Sequence, residues 1–212
     1  YGIGTSRSLR VHWILHELSL PYRSVDFRPR SEYAKSDEYK KINPSGKIPS
    51  IRIGESVLTE SAAICLYLAD RYGLGSSAEE VGSINRGKIY QWCLFAMTEL
   101  DAHTLYTLYK HGGKMKKFYG ESEVAANAAR EGFETQILKL ENKLKSGKEY
   151  LIDNTFSVAD ILMGTCILFA LNLELENLLE VPTNCTRYFN DLKEREGFKK
   201  ASELNYPRTV PE

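Results

Sequence analysis

The chain has 212 residues, 42% hydrophobic and 26% charged, a size and composition that build one large globular domain or two modest ones. Lys plus Arg (28) balances Asp plus Glu (28), so no overall field draws the chain to nucleic acid or anionic lipid, and neither is expected as a partner. No apolar run approaches the roughly 20 residues of a membrane span and no signal peptide is visible, so the expected location is cytoplasmic.

In chain order, residues 1–3 read as a first strand cut short at the start of the sequence. Leu9, Val11, Trp13, Ile14, Leu15 and Leu18 give a helix with a broad apolar face, closed by Pro21. Residues 22–27 read as a strand. A polar, Lys-rich loop follows, then residues 48–53, a turn at Gly54-Glu55-Ser56, and residues 57–59, which together predict a hairpin with a short Gly-containing loop. A helix begins near Ser61, and residues 62–68 are apolar almost all round, which predicts burial against the sheet. Strand, helix, strand, hairpin and helix make a small α/β domain over residues 1–73. Gly, Ser and Glu mark a linker at 74–81. From 82 to 212 no strand pattern recurs, and residues 84–110, 123–144, 158–173 and 186–194 suit helices, so the second domain is all-α.

Cys65, Cys93, Cys166 and Cys185 are far apart, without a CxxC pair or a Cys/His cluster at zinc-site spacing, so neither a disulfide framework nor a metal site is expected. Three features of the first domain point instead at one ligand. Thr5-Ser6-Arg7-Ser8 sets hydroxyls just ahead of a helix; they cap it, and one of them, with the positive helix end, can donate to a thiolate. Asn43-Pro44-Ser45-Gly46-Lys47-Ile48-Pro49 enters the hairpin, and a cis Ile48–Pro49 bond there would present the Ile48 N–H and C=O to an extended peptide. At Thr59-Glu60-Ser61 a strand gives way to a helix; Thr59 or Ser61 can cap it, or Ser61 and nearby N–H groups can bind a carboxylate while Glu60 takes an ammonium.

In this order and spacing, with Leu-Pro-Tyr closing the first helix and Tyr-Leu-Ala-Asp-Arg-Tyr-Gly ending the domain, the motifs resemble the cytosolic glutathione transferase family along essentially the whole chain. The second domain adds Tyr150-Leu151-Ile152 and Ser157-Val158-Ala159-Asp160, similar to the family's buried Ser/Thr-x-x-Asp box; we assign it to folding rather than catalysis. The resemblance implies a thioredoxin-like N-terminal domain, an all-helical C-terminal domain and a two-fold homodimer. It implies glutathione as co-substrate, no further cofactor, and a small hydrophobic electrophile or peroxide as second substrate. Carried over residue by residue, it makes Ser6, four residues before Arg10, the group that holds the thiolate, with Thr5, Ser8 and Tyr1 as alternatives. Ile48 before Pro49 would bind the cysteinyl backbone, Glu60 and Ser61 the γ-glutamyl head, and Lys47 and Lys35 the glycyl carboxylate. Related members often carry a histidine where Ala34 stands beside Lys35. The electrophile pocket would lie between the domains along residues 84–110, with His103 and Tyr106 as candidates. A glutathione-dependent disulfide reductase and a non-catalytic binding or regulatory protein of the same fold are the competing readings.

Overall fold

The computed structural model describes residues 1–75, 81–152, 154–172 and 179–207. The chain divides into two compact units, Tyr1–Ala78 together with Lys193–Glu212, and Glu79–Leu192. Most of the expected linker, residues 76–80, lies outside the described residues.

The first unit is built round α1 (Ser6–Glu17), which buries Leu9, Val11, Trp13, Ile14 and Leu15. Its start is fixed by a reciprocal cap: Ser8 N–H donates to Thr5 Oγ1 at 2.9 Å and Thr5 N–H to Ser8 Oγ at 3.1 Å. The polar loop expected after the second strand instead holds two short helices, α2 (Glu32–Lys35) and α3 (Asp37–Ile42), whose first turns are capped by Ser31 and Ser36. β1 (Ser50–Ile53) and β2 (Ser56–Thr59) pair antiparallel, with Ile53 opposite Ser56. Gly54, at φ +61°, opens their two-residue loop, as a glycine-first hairpin turn requires. The expected strand at 22–27 lies beside residues 1–3, joined by Gly2 N–H to Val25 O and Ile3 N–H to Phe27 O, both 3.0 Å. These bonds advance one residue on one side and two on the other, so the two segments form no regular ladder.

α4 (Ser61–Tyr72) packs on α1 and ends on Gly73 in the left-handed region. It buries Ile64, Cys65, Leu68 and Ala69 but leaves Ala63 exposed, so one face is solvated despite its apolar sequence. On the other side of the unit Phe27, Tyr33 and Tyr39 interlock edge to face, with Phe27 4.8 Å from Tyr39 and 4.9 Å from Tyr33 between ring centres. His12 lies buried beneath residues 1–3. Its Nε2 is 3.2 Å from Gly2 O, which can only accept, so Nε2 carries the proton and Nδ1 accepts from Tyr22 Oη at 3.0 Å.

The second unit contains α5 (Ile84–Phe95), a π-helical stretch (Ala96–Leu105) and α6 (Tyr106–His111), which run on without a break where one α-helix was expected. The short α7 (Lys116–Tyr119) and the long α8 (Glu123–Leu144) follow, with α8 packed on the π stretch and α6. Central to the unit is α9 (Val158–Leu171), buried at Val158–Ile167 and packed on α5 and the π stretch. Its start is held by Asp160, itself fully buried. Oδ2 accepts from Ser157 N–H (2.8 Å) and Oγ–H (3.0 Å), and Oδ1 accepts from Leu151 N–H (2.9 Å) and Tyr188 Oη–H (2.6 Å). Four donors satisfy both oxygens, which gives this carboxylate a structural task. α10 (Thr183–Lys193) completes the unit. Among the described residues no helix is long and apolar enough to cross a membrane.

The last helix, α11 (Glu196–Asn205), groups with the first unit, although the sequence placed every residue from 82 onward in the helical domain. It packs along α1: Phe198 meets Trp13 edge on at 4.9 Å, and Arg195 clamps Glu17 through Nε–Oε1 (2.9 Å) and Nη2–Oε2 (2.8 Å). A Cβ at Gly197 would sit 2.6 Å from Glu17 Oε1, so any side chain there would displace the Glu17 carboxylate from this clamp. The result is an α/β thioredoxin-like unit and an all-helical unit, the expected fold class.

Candidate functional site

Most of the predicted site residues lie in three segments of the first unit, one of them the start of α1. In the first, the Thr5 and Ser8 hydroxyls are committed to the cap, and Ser8 Oγ–H also donates to Asn205 Oδ1 at 2.8 Å. Ser6, the first helical residue, is half-buried, and its hydroxyl bonds to no other described residue. The first turn of α1 contains no acidic residue, so the positive end of the helix is left uncompensated. Tyr1, the alternative, packs its ring 5.9 Å from that of Tyr39.

The second segment is Asn43–Pro49, held by side chains pointing into its own loop. Buried Asn43 donates through Nδ2 to Lys47 O (2.8 Å) and accepts from Ser45 Oγ–H (2.8 Å), while Tyr39 Oη–H donates to the same Lys47 carbonyl (2.6 Å). Gly46 has φ +63°, and a Cβ there would lie 3.0 Å from Ala34 O. The Ile48–Pro49 peptide is cis. Neither the N–H nor the C=O of Ile48 is bonded to another described residue. Gly2, at φ +96°, lies so close to this turn that a Cβ would fall 2.5 Å from Ile48 Cβ.

The third segment is the β2–α4 junction. Glu60 holds φ +64° and ψ +110°, a conformation L-residues rarely adopt, and makes no side-chain cap. The first N–H groups of α4 therefore lack a capping side chain, in contrast to the Thr59 or Ser61 cap weighed from the sequence. Ser61 is 7% exposed, and its Oγ accepts from Nη1 of Arg10 at 3.2 Å. With that lone pair taken by a guanidinium, the Ser61 proton is directed elsewhere, toward an acceptor such as a carboxylate. Sequence reasoning used Arg10 only as a spacing mark and missed this bond. Ser6 and Arg10 are four residues apart on one helix, hence about 5–6 Å apart on one face.

Lys47 is exposed beside the turn, and Lys35, exposed on α2, forms an ion pair with Glu32 at 2.9 Å. In the second unit His103 is exposed on the π stretch, while Tyr106, at the start of α6, is half-buried and stacks on Tyr109 at 6.4 Å. A cavity of about 950 Å³ opens among Tyr1, His12, Tyr22, Pro49 and Arg52; of the predicted residues Pro49 and the alternative Tyr1 line it. All four cysteines are buried, and burial pushes the Cys65 and Cys185 thiols up to about 12, so neither supplies a thiolate near neutral pH.

Residues 6–71 match the glutathione S-transferase N-terminal domain and residues 95–196 the glutathione S-transferase C-terminal domain. The chain is 26% identical over 211 residues to glutathione S-transferase hmp2 of Hypomyces subiculosus, covering 95% of this chain and 96% of that one. It is 30% identical over 185 residues to elongation factor 1-gamma 1 of Oryza sativa subsp. japonica, covering 84% of this chain but only 42% of that protein. Its fold is that of the glutathione transferase URE2P6 of Phanerochaete chrysosporium, solved in complex with oxidized glutathione, with a TM-score of 0.79, 24% identity, and coverage of 97% and 94%. With both domain signatures matched in order on a chain of this fold, the protein belongs to the glutathione S-transferase family.

Proposed function

We propose that the protein is a glutathione transferase in which the Ser6 hydroxyl, at the positive end of α1, holds the thiol of bound glutathione as a thiolate. The observation that carries this reading is the division among the three hydroxyls at the start of α1: Thr5 and Ser8 are bonded to each other and Ser8 to Asn205, whereas Ser6 is bonded to no described residue. In this reading the Ile48 N–H and C=O pair with the cysteinyl backbone, and Ser61 with the uncapped N–H groups of α4 receives the γ-glutamyl carboxylate. Glu60 faces the ammonium. Lys47 meets the glycyl carboxylate, and Lys35 joins it if it leaves Glu32. Glutathione is a co-substrate and no other cofactor is required.

A cysteine-like thiol starts near pKa 8.5. One hydrogen bond to a charged group contributes about 1.5–3 kcal/mol, and one pKa unit is about 1.4 kcal/mol, so Ser6 and the helix end lower it by about one to two units. The thiol proton leaves to solvent, and the thiolate sulfur attacks an electrophilic carbon, forming C–S as the leaving group departs, or attacks a peroxide oxygen as O–O breaks. His103 and Tyr106 are assigned to the electrophile. Apolar surface exposed on α5 at Ile84 and Leu94 supports a two-fold homodimer, which light scattering at micromolar concentration tests; a clean monomer would contradict it.

The similarity to elongation factor 1-gamma 1 supports a second reading, a non-catalytic binding protein of the same fold. Calorimetry with reduced glutathione, followed by assays with an aryl halide, a hydroperoxide and a mixed disulfide, separates the readings. Binding with aryl halide or hydroperoxide turnover is the expected outcome. Turnover of the disulfide alone would make the protein a reductase, and binding without turnover, or no binding, would favour the non-catalytic reading.

A further inference from the structure

The turn that presents Ser6 is held from the far end of the chain. Asn205, the last residue of α11, is fully buried and meets three groups of residues 4–8. Its Oδ1 accepts from Gly4 N–H at 3.2 Å and from Ser8 Oγ–H at 2.8 Å, and its Nδ2 donates to Thr5 O at 3.0 Å. The Asn205 backbone carbonyl also accepts from Gly4 N–H, at 2.9 Å. The amide orientation is fixed by its partners, since Gly4 N–H can only donate and Thr5 O can only accept. The residues gripped, Gly4, Thr5 and Ser8, flank Ser6 on both sides, yet its hydroxyl is left unengaged. The grip holds the chain on either side of Ser6, so the placement of Ser6 depends on α11 as well as on the cap of α1.

We propose that Asn205 is a positioning residue of the thiolate site, holding the Gly4–Ser8 turn so that Ser6 Oγ–H points at the glutathione sulfur. This rests on the reading of Ser6 given above. Because α11 is anchored separately at its other end by Arg195 on Glu17, its docking and its grip on the turn can be perturbed independently.

The experiment compares Asn205→Ala with Arg195→Ala in three measurements: melting temperature, amide hydrogen exchange at Ser8, and ultraviolet titration of glutathione thiolate bound to the protein. Both variants are expected to melt below the wild type. Asn205→Ala alone is expected to speed exchange of the Ser8 N–H, which bonds Thr5 Oγ1, by about tenfold or more. It is also expected to raise the bound thiol pKa by about one unit, a roughly tenfold loss of thiolate at pH values below it. If Asn205→Ala does not fold, Asn205→Ser, whose hydroxyl retains part of the grip, is measured in the same way. Unchanged exchange at Ser8, or a thiol pKa unmoved or moved equally by Arg195→Ala, overturns the proposal. Failure of the thiolate reading itself gives a different pattern, in which the wild type binds no thiolate while exchange at Ser8 still reports whether Asn205 holds the turn.

Discussion

Replacing Ser61 by Ala tests the third segment and carries two separable effects. In the free protein it removes the acceptor 3.2 Å from Arg10 Nη1, in a place where Arg10 is 1% and Ser61 7% exposed, so water does not readily replace it. A hydrogen bond to a charged group contributes about 1.5–3 kcal/mol, which sets the upper limit of the expected loss of stability. In the complex the same change deletes the hydroxyl assigned to the γ-glutamyl carboxylate. A hydrogen bond to a charged acceptor contributes about 1.5–3 kcal/mol, so Kd for glutathione should rise about ten- to a hundredfold. Calorimetry with glutathione and with cysteinylglycine, which lacks the γ-glutamyl group, separates the two. Ser61→Ala should weaken glutathione strongly and cysteinylglycine little, and Ser61→Thr should restore most of the difference. Equal weakening of both ligands, or of neither, would show that Ser61 does not read the γ-glutamyl head.

Acid should destabilise the first unit through His12, whose burial lowers its pKa from 6.5 to about 4. Because the folded value is the depressed one, this stabilisation is complete above about pH 6.5 and is lost as pH falls toward 4, by about 3 kcal/mol when protonation is complete, and His12→Asn should flatten that part of a denaturation profile. Asp160→Asn should cost about 3–5 kcal/mol in urea unfolding, because either orientation of the new amide turns its NH₂ toward donors now bonded to a carboxylate oxygen; a loss under 1 kcal/mol would refute the structural role assigned to Asp160.

What the sequence made legible was local. Gly54 between two short apolar runs marked the hairpin, and Ser157-x-x-Asp160 marked the start of α9, because hairpin turns and capping boxes are decided within a few residues. Ser31 and Ser36 were equally local signals for α2 and α3, masked by the lysines and other polar residues around them. Contacts made through space left no such trace. Arg10 finds Ser61 across fifty-one positions, and Asn205 grips residues 4–8 from two hundred positions away; no periodicity joins them. Tyr188, the fourth donor to Asp160, is hidden for the same reason. The π-helical stretch 96–105 keeps the apolar content of an ordinary helix, so its change of hydrogen-bond step was not readable. Of the hydroxyls at the start of α1, the sequence supplied the candidates, but which of them the cap and Asn205 engage is a matter of geometry.

The central claim is that Ser6 holds the thiolate. The most direct measurement is the ultraviolet titration of protein-bound glutathione in the wild type, Ser6→Ala, Thr5→Ala and Tyr1→Phe. The account predicts that Ser6→Ala alone raises the thiol pKa by about one to two units and lowers the rate near neutral pH about ten- to a hundredfold, while glutathione affinity changes much less. An unchanged thiol pKa in Ser6→Ala, with a raised value in Thr5→Ala or Tyr1→Phe, would contradict it and move the role to that residue.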